Sequence, residues 1–231
     1  MSTPSTSRTS CTSRTSRTLF GGLIGLACLL AAAADAPLNV GDLKIRSEAG
    51  DKGATRTLAE AYYAGRGGVE QNFCEAAKWY RVLATQGDAR AQTSLGLMHV
   101  RGYCFEKNFG EAYRWFSLAA AQNDAGAQNN LGIMYLEGQG VARDPSKAAF
   151  WLERAAGRGH IQAQYNLGEM YHDGNGVPKD GMLSYYWMSL AASQGDENAE
   201  KYVKTLEAEL PPGQIEQAKA KAREWLKKNR R

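Results

Sequence analysis

The chain has 231 residues, 43% hydrophobic and 23% charged, which excludes a disordered chain and a disulfide-dense miniprotein and suits one globular domain with an extension. Lys and Arg outnumber Asp and Glu by 28 to 24, but Arg8, Arg14 and Arg17 lie in an opening segment of 34 residues that has no Lys and no acid. The near-neutral remainder offers no basic patch for phosphate neutralisation, so nucleic acid is not expected as a partner.

The opening segment is rich in Ser and Thr, and an uncharged, largely apolar run follows at 19–34, ending in Ala32-Ala33-Ala34. Basic start, apolar middle and small-residue end predict a cleavable signal peptide over 1–34, cut after Ala34, and a periplasmic or secreted product. An uncleaved anchor fits less well, because the run has 16 residues where a membrane span needs about 20. Gly25-Leu26-Ala27 is a poor lipobox for Cys28, and an organelle transit peptide would lack so solid an apolar block. Once the signal and its Cys11 and Cys28 are gone, Cys74 and Cys104 remain. An even pair in an oxidising compartment is a disulfide candidate. Residues 35–49 carry no recurring pattern and read as a linker or N-terminal cap.

From residue 50 the chain repeats. Trp79, Trp115, Trp151 and Trp187 recur every 36 residues, as do Leu95, Leu131 and Leu167, and four such units fill 50–193. Each unit reads as two helices, A and B. Asp51, Asp88, Asp124 and Asp196, with His160 as the exception, precede apolar-periodic stretches and so predict A-helix N-caps. Gly65, Gly102, Gly138 and Gly174 predict the A-helix ends, since only glycine enters the left-handed conformation cheaply. Asn72, Asn108, Asp144 and Asp180 then cap the B helices, which bury an alanine column and the Trp column and close at Gly87, Asn123, Gly159 and Gly195. Residues 194–231 form C-terminal capping helices: a fifth unit begins with Asp196 and Ala199, Pro211-Pro212-Gly213 breaks it, and an amphipathic helix follows over about 214–227. The expected fold is an all-α, right-handed α/α solenoid.

Ala127-Gln128-Asn129-Asn130-Leu131-Gly132-Ile133-Met134-Tyr135, then Gly138-Gln139-Gly140-Val141, then Asp144-Pro145-Ser146-Lys147-Ala148-Ala149-Phe150-Trp151 resemble Sel1-like repeats, a relative of the tetratricopeptide repeat. The fourth unit agrees through Ala163-Gln164-Tyr165-Asn166-Leu167-Gly168 and Gly174-Asn175-Gly176-Val177. The second departs, with Cys104 in place of the loop glycine and His99 in place of tyrosine. What the resemblance implies is a right-handed superhelix acting as a scaffold or adaptor for proteins, in exported bacterial members often linked to envelope signalling, host contact or cell-wall processes.

Signatures of catalysis are missing from the sequence. It contains no Walker loop, H-E-x-x-H, C-x-x-C or G-x-S-x-G. Its glycine loops recur at the repeat period and are inter-helix turns, and its three histidines share no ligand spacing, so neither a cofactor nor a metal is expected. Some cysteine-rich Sel1-like proteins carry a β-lactamase label, which leaves a cell-wall-linked hydrolase or a ligand-binding protein as the alternative. The Ser-x-x-Lys pair such an enzyme needs is absent, and no catalytic residue is assigned. Fixed phase with the alanine columns assigns the tryptophans to packing rather than to stacking on sugars or bases.

Opposite the buried stripe of the A helices lie Arg56, Thr93, Asn129 and Tyr165; Glu60, Leu97, Ile133 and Glu169; and Tyr63, Val100, Leu136 and His172. An apolar centre with a polar or aromatic rim is the composition of a protein interface, which gives the candidate protein-binding face on an expected monomer without a membrane span after cleavage. The competing reading is ordinary inter-repeat packing, because solenoid helices are contacted on several faces. Cys74, at the start of one B helix, and Cys104, in the A-to-B loop of the next unit, fall where stacked units bring equivalent loops together, and so predict a bridge. Two free thiols, or a reactive Cys74 activated by the helix N-terminus, are the alternatives.

Overall fold

The computed structural model describes residues 37–229; the predicted signal segment and the predicted cleavage site lie outside the described residues. Eleven helices follow one another among those residues: α1 (Val40–Glu48), α2 (Lys52–Ala64), α3 (Phe73–Thr85), α4 (Ala89–Arg101), α5 (Phe109–Ala121), α6 (Ala125–Glu137), α7 (Pro145–Gly157), α8 (Ile161–Asp173), α9 (Gly181–Ser193), α10 (Glu197–Glu209) and α11 (Pro212–Asn229). The A helices are α2, α4, α6, α8 and α10, and the B helices are α3, α5, α7 and α9. From α1 to α10 each helix packs on the one before it, and α11 lies back on α9, so the chain is an α/α solenoid with a helix folded over its end.

Both ends of each helix are set by local chemistry. Asp51, Asp88, Asp124 and Asp196 accept from the N–H of Ala54, Ala91, Ala127 and Ala199, and His160 does the same for Ala163 through Nδ1. Asn72, Asn108, Asp144 and Asp180 cap the B helices. Orphaned N–H groups at a helix start thereby find acceptors. The A helices close on left-handed Gly65, Gly102, Gly138 and Gly174. Residues 37–49 are not loose: α1 lies on α2, the Leu38 N–H donates to the Gly67 carbonyl, and Ser47 Oγ meets Thr55 Oγ1 at 2.7 Å.

Inside the second, third and fourth repeats, A and B approach at a position with no side chain, where the first repeat has the small Ala59. A Cβ at Gly96 would stand 2.5 Å from the Phe116 ring, one at Gly132 2.6 Å from Leu152, and one at Gly168 2.8 Å from Met188. The residues opposite these glycines, Phe116, Leu152 and Met188, are fully buried. Here the structure corrects the expected core. Trp79, Trp115 and Trp151 are only partly buried, and among the four repeat tryptophans only Trp187 is buried. One residue is a rotation of about 100° on a helix, which turns the Trp column to the edge of the interface and its C-terminal neighbour into the centre.

Between repeats a polar layer joins the apolar packing. Gln92, Gln128 and Gln164 are buried, and each donates to a last-turn carbonyl of the preceding B helix: Ala84 at 3.0 Å, Ala120 at 3.3 Å and Ala156 at 3.1 Å. Gln122 and Gln194 in turn donate to the Oε1 of Gln92 and Gln164. At the register position between those two stands Arg158, and Gln128 Oε1 is left buried without a partner.

Cys74 and Cys104 are joined by a disulfide, with Cα atoms 4.8 Å apart. Cys104 has φ +65°, close to the +71° and +76° of Gly140 and Gly176, so the second loop keeps the glycine conformation. Where Gly140 and Gly176 press on the backbone of Phe109 and Pro145, the first residues of the previous B helices, Cys104 is bonded to Cys74, the second residue of α3. At the register position of Cys74, Ser146 Oγ donates to the Gly176 carbonyl at 3.3 Å, so the same inter-loop contact is covalent in one place and a hydrogen bond in another.

Arg158→Gln should supply the missing donor to Gln128 and raise stability by about 1 kcal/mol, read from denaturant unfolding. Replacing both bridging cysteines, with Ser at 74 and Gly at 104, should cost about 2 to 4 kcal/mol. The Ser/Ser variant should cost more, because only glycine adopts the left-handed turn without strain.

Candidate functional site

The expected binding face divides into two groups. Residues of the first bind the next repeat. Arg56 donates to Asp88 at 2.6 Å, and Thr93 Oγ1 donates to Asp124 at 3.0 Å, so A-helix caps also anchor the preceding A helix. Burial alone would raise the Asp88 carboxyl, but the Ala91 N–H and the Arg56 guanidinium outweigh it and hold it below the usual range. Asn129 is buried and its Oδ1 has no partner. Leu97 and Val100 pack against the buried cluster of Ala127, Leu131 and Met134. Tyr165 donates to Glu169 at 2.9 Å and sits edge-on to Tyr202.

The second group opens into two grooves. One, of about 370 Å³, is lined by Leu38, Glu60, Tyr63, Arg66 and Tyr80 at the N-terminal end. The other, of about 400 Å³, lies between α6 and α8: Ile133, Leu136 and Met170 offer apolar surface, and Glu137, Glu169 and Asp173 bring carboxylates. His172 lies beside it, with Nδ1 2.9 Å from Asp173 and Nε2 3.4 Å from Glu209. The twelve positions therefore do not form one continuous patch. Sequence offsets miss the contribution of neighbouring helices, such as Met170, Asp173 and the α1 approach residue Leu38.

The three histidines stand apart. His99 stacks on Phe105 with centroids 4.4 Å apart, His160 caps α8, and His172 bridges two carboxylates. Among the described residues no group of three or more His, Cys, Asp or Glu could hold a metal ion, and no helix is long and apolar enough to cross a membrane.

His160 is unusual because its cap works only while Nδ1 is unprotonated. Burial pushes its pKa down from 6.5, with Asp124 acting the other way. A lowered folded pKa means that the unfolded chain takes up the proton first, so stability is complete above 6.5 and drains away as pH falls towards the folded pKa. Burial also lowers the pKa of His99, opposed by Glu111 and assisted by Arg81. Thermal unfolding at pH 7.5 and 5.0 should show a loss at the lower pH, and His160→Asp should remove about 1 kcal/mol of that difference while the His99 share persists.

The Sel1 repeat pattern matches residues 54–88, 89–124, 125–160, 161–196 and 212–228. No curated protein matches the chain. Among solved structures it is similar to c5321, a protective antigen present in uropathogenic Escherichia coli strains that displays an SLR fold. That match has 32% identity and a TM-score of 0.75 over 81% of this chain and 40% of the antigen. It is also similar to a Sel1 repeat protein from Oxalobacter formigenes, with 35% identity and a TM-score of 0.64 over 72% of this chain and 48% of that one. The chain thus spans less than half the length of either. With four contiguous matches in register along a helical solenoid and a shorter fifth on α11, the chain belongs to the Sel1 repeat family.

Proposed function

We propose that the protein is an exported scaffold that binds another protein along its A-helix face, and that the groove between α6 and α8 holds an apolar side chain flanked by basic residues. The observation that carries this reading is the pairing of Ile133, Leu136 and Met170 with Glu137, Glu169 and Asp173 in one recess. Apolar surface desolvated beside a polar rim is the anatomy of a protein interface, and carboxylates there select cationic partners and speed their encounter. Export is supported by the signal-like sequence of 1–34 and by the Cys74–Cys104 bridge, which persists in oxidising compartments. A role in envelope signalling or host contact fits such an adaptor, and periplasmic or secreted localisation follows from export.

A photo-crosslinking amino acid placed at position 133, irradiated in envelope extract, should give one discrete protein adduct. That adduct should disappear in the Glu169→Lys/Asp173→Lys double variant while the melting temperature stays within a few degrees, since both residues are at least partly exposed. Adducts that are scattered, or that survive the double variant, would remove this groove from the binding face. Turnover of a β-lactam or of peptidoglycan fragments by the purified protein, abolished by a point substitution, would replace the scaffold reading with the hydrolase.

A further inference from the structure

The B-helix side of the solenoid carries a second recess, and α11 shows what fits it. Rather than continuing the stack, α11 lies on α9. Its Ala222 shares one buried cluster with Trp187 and Leu190 of α9 and Ala155 and Ala156 of α7, and Trp225 and Leu226 pack onto that cluster. The Trp225 ring stands 3.4 Å from where a Cβ of Gly159, just past α7, would lie. The C-terminal half of α11 therefore lies along the seam between neighbouring B helices α7 and α9.

Two repeats earlier the equivalent seam, between α3 and α5, is open. Trp115 and Leu118 stand at the register positions of Trp187 and Leu190. Leu190 is 0% exposed beneath α11, whereas Leu118 is 52% exposed. Trp115 and Leu118 line a recess of about 380 Å³ with Arg81, His99 and the paired Glu111 and Arg114. Arg81 also lines a second recess of about 480 Å³, walled by Ala77, Val82 and Phe105. Exposed large apolar side chains at consecutive positions along a seam mark an interaction surface.

Charge identifies the occupant. Lys78 and Arg114 already pair with Glu75 and Glu111 on their own helices. The Arg81 guanidinium lies over the Phe105 ring at 5.6 Å, and it makes no ion pair among the described residues. An entering carboxylate would find its partner there. The α11 of a second copy is the wrong occupant, because its outer side carries Lys221, Arg223, Lys227 and Lys228.

We propose that the seam between α3 and α5 docks an amphipathic helix of a partner protein, with an apolar stripe like that of α11 and carboxylates flanking it. This site is separate from the A-helix face, and either can fail without the other. The probe is a fluorescent peptide of the 212–229 sequence with Lys221, Arg223 and Lys227 each changed to Glu, titrated with the full mature chain. Saturable anisotropy is expected, weakened at least tenfold by Leu118→Glu and by Arg81→Glu and unaffected by Ile133→Glu, with circular dichroism confirming that all three variants stay folded. The unmodified basic peptide should bind at least tenfold more weakly than the acidic one. No saturation, equal binding to Leu118→Glu, or equal binding of the two peptides would overturn the proposal. So would a Leu118-dependent dimer in sedimentation, or Leu118-dependent cosedimentation with phosphatidylglycerol vesicles, which would assign the seam to a second copy or to a bilayer.

Discussion

A hydrogen atom in place of a methyl group at Gly96, Gly132 and Gly168 lets helix A touch helix B backbone to side chain, and the rest of the array is built on that distance. With the helices so close, Phe116, Leu152 and Met188 bury completely against a partner that offers no side chain of its own. Overpacked cores relax by moving backbones. In a solenoid such a shift would be passed to the next unit, because each repeat is positioned only by its neighbours. Keeping this position bare holds the register of every later repeat.

Apolar contact sets the distance within a repeat, whereas polar contact sets the angle between repeats. Gln92, Gln128 and Gln164 reach back to carbonyls at the end of the previous B helix, where four C=O groups lack intrahelical donors. The A-helix caps add a second tie through Arg56 to Asp88 and Thr93 to Asp124. Hydrogen bonds are directional in a way that apolar burial is not, so a few of them fix the rotation of one unit on the next. The surfaces left over, two grooves on the A side and one seam on the B side, take their shapes from that rotation.

Helix boundaries were legible in the sequence because capping is local: Asp88 needs only Ala91, and Gly102 needs only its own backbone. The Cys74–Cys104 bridge was legible because the repeat period places those loops together. The centre of the core was not, and the reason is physical. Tyr80, Phe116, Leu152 and Met188 differ in identity and share only size and burial, while the invariant tryptophans beside them draw attention to a column at the interface edge. The grooves on the A-helix side were half legible. Offsets on one helix locate Ile133 and Glu169, but not the packing of Leu97 onto the next repeat or the approach of Met170 from α8. The course of α11 was hidden too, since an amphipathic stripe says that a helix packs and not against what.

The bridge also bears on how the chain answers to force. A solenoid pulled from its ends lengthens as its helices peel off one repeat at a time. The 30-residue separation of Cys74 and Cys104 encloses most of α3 and all of α4 in a covalent ring, and load applied at the termini bypasses that ring through the sulfurs. About 100 Å of extended chain is thereby withheld from stretching. A protein tethered between two surfaces would keep α3 and α4 joined under tension that had already unravelled the repeats beyond them.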